Sequence, residues 1–219
     1  DSLVDVLKRL RGENGCPWDR EQTHMSLRNT MIEEAYEAVD AIERDDTDAL
    51  CEELGDVLLQ IVFHAQIETE ASDFTIRDVT TGIVKKLMYR HPHVFSALKV
   101  SGTEEVLKNW EELKKKEKHI HSATEAMQAV PQCFPSLMRA GKLQKRAAAT
   151  GFDMDASAAL SAVTEAAERI RTEYADSADK DTLYLLAEEL LFAAVYVMRA
   201  LELDAELTLC LLYTSPSPR

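Results

Sequence analysis

Apolar residues recur along this chain at helical spacing. Leu3, Val6, Leu7 and Leu10 predict a short amphipathic helix at the start. Leu27, Met31, Ala35, Ala38 and Ile42 form one face of a predicted helix over 27–44. Asp45-Asp46-Thr47 breaks it and offers N-caps for the next. That helix, over 48–70, turns Leu50, Leu54, Val57, Leu58, Ile61, Val62 and Ala65 inward. Further helices are predicted over 74–89, 104–118, 156–174 and 182–203. Residues 12–19 read as a loop, and Pro92 ends the helix before it. Residues 119–135, with Pro131 and Pro135, read as a linker.

Composition points the same way. Seven glycines and six prolines in 219 residues are too few for the turns of a sandwich or barrel. Strong helix formers dominate, so the fold class is all-α. The length suits one large domain or two small ones. Glu53-Leu54-Gly55-Asp56-Val57-Leu58-Leu59 is echoed by Leu186-Ala187-Glu188-Glu189-Leu190-Leu191-Phe192. Each follows a Glu-x-x-Glu pair, Glu34/Glu37 and Glu165/Glu168, which suggests a duplicated helical unit.

Charge and cysteines narrow the partners. Twenty-five Lys and Arg against 39 Asp and Glu leave a net −14. That repels nucleic-acid polymers and anionic membranes, but not a small anion bridged by a divalent cation. Cys16, Cys51, Cys133 and Cys210 form no C-x-x-C pair, so reduced thiols and a cytoplasmic location are expected. The apolar run from Leu190 to Met198 is far short of the roughly 20 residues that span a bilayer. The chain opens on Asp1 without a signal peptide, as a fragment would, and 211–219 reads as a non-native tail.

The chemistry concentrates in Glu33-Glu34-Ala35-Tyr36-Glu37 and, sixteen residues on, Glu53-Leu54-Gly55-Asp56. Residues three apart share a helix face, so Glu34 pairs with Glu37 and Glu53 with Asp56. Glu34 and Glu53 fall at the edges of the apolar stripes, aimed at the seam between antiparallel helices. Clustered carboxylates there cost several kcal/mol unless neutralised, and Arg44 is the only Lys or Arg between Thr30 and Glu70. Either cations neutralise them or the helices pack otherwise. Oxygen-only donors favour Mg²⁺ or Mn²⁺ over zinc. Gly55, inside a helix, suggests close helix approach or ligand access.

Other signals are weaker. His91-Pro92-His93 and His119-Ile120-His121 read as loop or surface histidines, with metal pairs as the alternative. Glu21-Gln22-Thr23-His24 is the single Glu-x-x-His, ahead of its helix, where a di-iron bundle needs two. No P-loop, H-E-x-x-H or G-x-S-x-G motif is present.

Five segments occur in order: Gly15-Cys16-Pro17-Trp18-Asp19 with Glu21-Gln22-Thr23-His24; Glu33 to Glu37; Glu53 to Asp56; Arg90-His91-Pro92-His93-Val94-Phe95; and Trp110-Glu111-Glu112-Leu113-Lys114. In this the sequence resembles MazG-type nucleoside triphosphate pyrophosphohydrolases over about residues 1–203. The resemblance implies tandem four-helix units in a homodimer. It also implies Mg²⁺-dependent hydrolysis of nucleoside triphosphates, ribo and deoxy, to monophosphate and pyrophosphate. Carried over, Glu34, Glu37, Glu53 and Asp56 are the metal ligands, and Glu33 orients the attacking water. Lys86 and Arg90 meet the phosphates, and Trp18, Trp110 and Lys114 complete the substrate contacts. The expected organisation is a catalytic unit over 1–120, a linker over 121–135 and a truncated second unit over 136–210. In that second unit Leu186 and Glu189 stand where Glu-x-x-Asp should follow, so it is expected to be inactive. A non-catalytic, nucleotide–Mg²⁺-binding or stress-regulatory module is the alternative.

Overall fold

The structure is a computed structural model that describes residues 2–117 and 122–214, less the side chains of 115, 211, 213 and 214. The described residues form α-helices and connecting turns, so the fold is all-α. They divide into two compact units, the first ending at Leu113 and the second beginning at Lys114, within one helix.

The first unit opens with α1 (Leu3–Arg11), capped by Ser2 and Asp5 in a reciprocal capping box. A short α2 (Pro17–Glu21) forms where a loop was expected, because Pro17 sits at its first position, where the missing N–H costs nothing. α3 (His24–Glu43) starts three residues earlier than the apolar pattern predicts, since the Thr23/Ser26 capping box sets its start. His24 is therefore its first residue, not a position ahead of the helix. α4 (Thr47–Ala71) is capped by Asp46. Asp45, in the left-handed region at φ 53°, makes the tight turn between the two. α5 (Ile76–Arg90), a single turn α6 (Pro92–Phe95) and α7 (Thr103–Glu117) follow.

α3 and α4 pack as an antiparallel pair, and α1 lies across α4. The core is small: Leu7, Leu27, Val62 and Phe63, flanked by Leu3, Val4, Leu59, Ile67 and Ile76. Each buried side chain of this size contributes about 1.5–3 kcal/mol. Arg11 ties the layers together. Its guanidinium makes a two-pronged pair with Glu70, donates to the carbonyls of Asp19 and Gln22, and lies over the Phe63 ring.

The expected inward stripes are only half covered. Leu54 and Leu58 on α4, and Met31 and Ile42 on α3, are exposed. Periodicity reports that a helix has an apolar face, not that its own chain covers it. On α5 every residue from 77 to 89 is exposed, among them Val79, Ile83, Val84, Leu87 and Met88.

The second unit contains α8 (Ala123–Gln128), α9 (Ser136–Ala148), α10 (Ala156–Ala175), α11 (Lys180–Ala200) and α12 (Ala205–Thr214). α8 replaces part of the expected linker, nucleated by a Ser122/Glu125 capping box. α9 lies in a stretch to which no helix was assigned, and α12 runs into the tail as far as Thr214. Residues 215–219 lie outside the described residues. α10 and α11 repeat the α3–α4 hairpin, with Ser177 at φ 60° in the place of Asp45. Ala159, Ala166 and Ala193 are buried in this unit, where short side chains suit close packing.

Candidate metal centre

The α3–α4 hairpin places carboxylates opposite one another. Glu34 and Glu37 are one turn apart on α3, and Glu53 reaches them from α4. One oxygen from each lies within 4.8 Å of the others. Opposed ligands of an octahedral cation stand about 4 Å apart, so these three come close to enclosing one. Asp56, one turn beyond Glu53, is the strongest neighbouring negative charge on Glu34.

The electrostatics fit a missing counter-charge. The Glu34 carboxyl is pushed above the ordinary carboxylate range by desolvation, then by the charges of Asp56, Glu37 and Glu53. Glu53 is pushed up by desolvation and by Glu37, Glu52 and Asp56. Among the described residues no lysine or arginine pairs with any of the four. Arg44 is occupied by Asp40 at 2.9 Å. The donor set is all oxygen, negatively charged and half-buried at Glu34 and Glu53, which suits a hard divalent cation. A Cβ on Gly55 would meet open space, so close helix approach does not explain this glycine.

The remaining candidates sit elsewhere. Glu33 is exposed beside Glu34. Trp18 is exposed on α2, and Lys86 is exposed on α5 one turn before Arg90. Arg90 is buried, with its guanidinium 5.2 Å from the centre of the Trp110 ring. Lys114 follows one turn later on α7. The structure thus brings together the carboxylates and, separately, Arg90 with Trp110. No ion pair among the described residues joins the two groups. His91 donates from Nδ1 to the Leu87 carbonyl at 2.7 Å and rests against His93. His119 and His121 lie outside the described residues.

One cluster escaped the sequence reading. His24, His64 and Glu68 meet across α3 and α4, with His24 Nδ1 2.7 Å from His64 Nδ1 and His24 Nε2 2.5 Å from Glu68 Oε1. They are 40 and 44 residues apart in sequence, so only the helix register reveals them.

The corresponding hairpin of the second unit is built differently. Leu186, in the register of Glu53, is buried at 3% exposure. Glu189, in the register of Asp56, pairs with Arg169 at 2.6 Å, and Glu168 pairs with Arg171. Arginines of α10 supply the positive charge that the first hairpin lacks.

An all-α chain whose antiparallel helices converge carboxylates on one point belongs with the helical acidic-site proteins, and comparison narrows the class. Residues 22–95 match the family described as the MazG nucleotide pyrophosphohydrolase domain. The nucleoside triphosphate pyrophosphohydrolase of Escherichia coli (strain K12) is 41% identical over 95% of this chain and 81% of its own length. A Thermotoga maritima protein named nucleoside triphosphate pyrophosphohydrolase/pyrophosphatase MazG is 39% identical over 94% of this chain and 78% of its own. The uncharacterized protein YabN of Bacillus subtilis is 52% identical over 64% of this chain, which spans only 28% of YabN. The chain belongs to the MazG family of nucleoside triphosphate pyrophosphohydrolases.

Proposed function

We propose that the first unit hydrolyses nucleoside triphosphates, ribo and deoxy, to the monophosphate and pyrophosphate, with Mg²⁺ held by Glu34, Glu37, Glu53 and Asp56. The observation that carries this reading is the set of three carboxylates within 4.8 Å on α3 and α4, with no lysine or arginine paired to them among the described residues. The family relationship supplies the reaction class. A cation bound there neutralises a polyphosphate and lowers the pKa of coordinated water, which reconciles a protein of net −14 with a polyanionic substrate.

The chain's own residues complete the site. Glu33, beside the ligands, orients the attacking water. Lys86 and Arg90 take the phosphate charge. Trp110, whose ring the Arg90 guanidinium covers at 5.2 Å, offers an aromatic face to the base, and Trp18 and Lys114 form the outer contacts. The second unit takes no part in turnover, because Leu186 is buried in the register of Glu53 and both Glu168 and Glu189 are paired with arginines.

A second copy of the chain is the partner this reading requires. An amphipathic helix with an uncovered apolar stripe is stable only when something covers it. The exposed Val79, Ile83, Val84, Leu87 and Met88 of α5, with Leu54 and Leu58 of α4, support a homodimer.

The test is pyrophosphate release from a panel of NTPs and dNTPs with Mg²⁺. Glu53→Gln is expected to lower it by about two orders of magnitude or more. Undiminished release would overturn the site. Tight nucleotide binding without release would make the protein a binding module instead.

A further inference from the structure

His24, His64 and Glu68 lie away from the carboxylate set. Glu34 is ten residues past His24, about 15 Å along the helix. The His24 and His64 ring centroids are 4.9 Å apart and the planes 11° from parallel. With the two Nδ1 atoms at 2.7 Å, that separation is nearly the contact plus one ring radius on each side. The rings therefore meet edge to edge in almost one plane, their Nδ1 positions aimed straight at each other. Two ligands of one metal ion would converge at an angle instead, so this geometry calls for a proton between the nitrogens.

The proton inventory follows from imidazole chemistry. Glu68 accepts from His24 Nε2–H at 2.5 Å. In the neutral ring Nδ1 of His24 is then bare and accepts. His64 must donate from Nδ1, which leaves its Nε2 free. One added proton goes to His64 Nε2, and the Nδ1–H···Nδ1 bond survives with Glu68 balancing the charge. A second added proton puts an N–H on both facing nitrogens at 2.7 Å, and the contact cannot persist.

We infer that His24, His64 and Glu68 form a single-proton clamp fastening the start of α3 to the last turns of α4, one that opens when the pair is forced to take a second proton. From α1, Arg11 is engaged by Glu70 of α4 and by the carbonyls of Asp19 and Gln22. α2 carries Asp19, Arg20 and Glu21, with the Asp19 carbonyl accepting from Arg11. α4 supplies Glu68 and Glu70, and α3 carries Arg28 one turn after His24. Consistent with this, burial and the neighbouring His24 push the His64 imidazole below its ordinary value.

The sign is fixed by proton counting. The unfolded chain binds two protons at these histidines below about pH 6.5, whereas the clamped fold accommodates one. Stability therefore falls as pH drops through that region, by about a tenfold loss in the folding equilibrium per pH unit for the one-proton difference.

The experiment is NMR of the ¹⁵N-labelled full chain with Mg²⁺, reading the imidazole nitrogens from pH 8 downward. Expected are a protonated Nε2 on His24, a protonated Nδ1 on His64, and a through-hydrogen-bond ¹⁵N–¹⁵N coupling between the two Nδ1 atoms. Both rings protonated at Nε2 with no proton on either Nδ1, or no coupling at pH 8, would overturn the clamp. So would uptake of both protons with the fold intact. In urea unfolding between pH 8 and 5, His64→Phe should flatten the pH dependence. An unchanged slope would overturn the inference, and should His64→Phe fail to fold, the wild-type tautomers decide alone.

Discussion

Glu37 of α3 and Glu53 of α4 bring carboxylate oxygens within 4.8 Å of each other across a helix pair, with no lysine or arginine paired to them among the described residues. Each adds to the other's difficulty, because the charge of Glu37 helps to raise the Glu53 carboxyl. The fold maintains this repulsion through contacts made elsewhere along the hairpin.

Glu37→Gln tests that tension directly. Without divalent ions at pH 7 the variant should melt about 1–2 °C higher than the parent, because one of the repelling charges is gone. With Mg²⁺ the order should reverse, since the parent gains stability by mass action and the variant gains little. Thermal melts in EDTA and in Mg²⁺ check both halves.

Metal binding should depend on pH in a defined direction. Glu34 and Glu53 are raised in the ion-free fold, so protons compete with the cation above the ordinary carboxylate range. Affinity measured by calorimetry should weaken as pH falls from 7, with its midpoint above the usual glutamate value. In the absence of metal the same shifts act oppositely on stability. The folded form binds these protons more readily than the unfolded chain, so their contribution declines as pH rises.

Gly55→Ala separates folding from access. Alanine in place of a helical glycine favours the helix by about 1 kcal/mol, and its methyl group would enter open space. The variant should therefore be more stable, while nucleotide binding weakens if that space admits the ligand. Urea unfolding and a nucleotide titration on the same protein check it.

Arg11→Met removes the side chain that joins α1, the α2 turn and α4. Its guanidinium is 7% exposed and Glu70 is 40% exposed, so solvent weakens the ion pair and much of the loss lies in the carbonyl contacts. A cost of about 2 kcal/mol is expected from equilibrium unfolding. Glu70 is held below its ordinary value chiefly by Arg11. Its contribution is therefore complete above the unfolded glutamate value and disappears as pH falls through the lowered one.

Glu168→Gln and Glu189→Gln should leave pyrophosphate release unchanged, whereas Glu34→Gln abolishes it. A comparable loss from the second pair would place catalysis in both hairpins.

Much of this architecture is legible in the chain. Asp46 and Thr47 mark the turn between α3 and α4, and the two Glu/Asp pairs announce the acidic positions before any coordinates. Three features are not legible, each for a physical reason. Leu54 and Leu58 carry the same periodic signal as Val62, yet exposure depends on what packs against the stripe. α9 is amphipathic, but only three large apolar side chains (Leu137, Met138 and Leu143) stand among its four basic ones, so it is inconspicuous by hydrophobicity alone. The His24–His64–Glu68 contact spans 40 and more residues and exists only once the antiparallel register is set.

The arginines of α10 give the second hairpin a counter-ion anchored to its own backbone. A guanidinium on a tether cannot be stripped away by a chelator or drawn off by free polyphosphate. On the proposed reading, the first hairpin loses its neutralising partner when divalent ions run low, while the second keeps its ion pairs. The duplicated half would then be indifferent to the ion economy on which its neighbour depends.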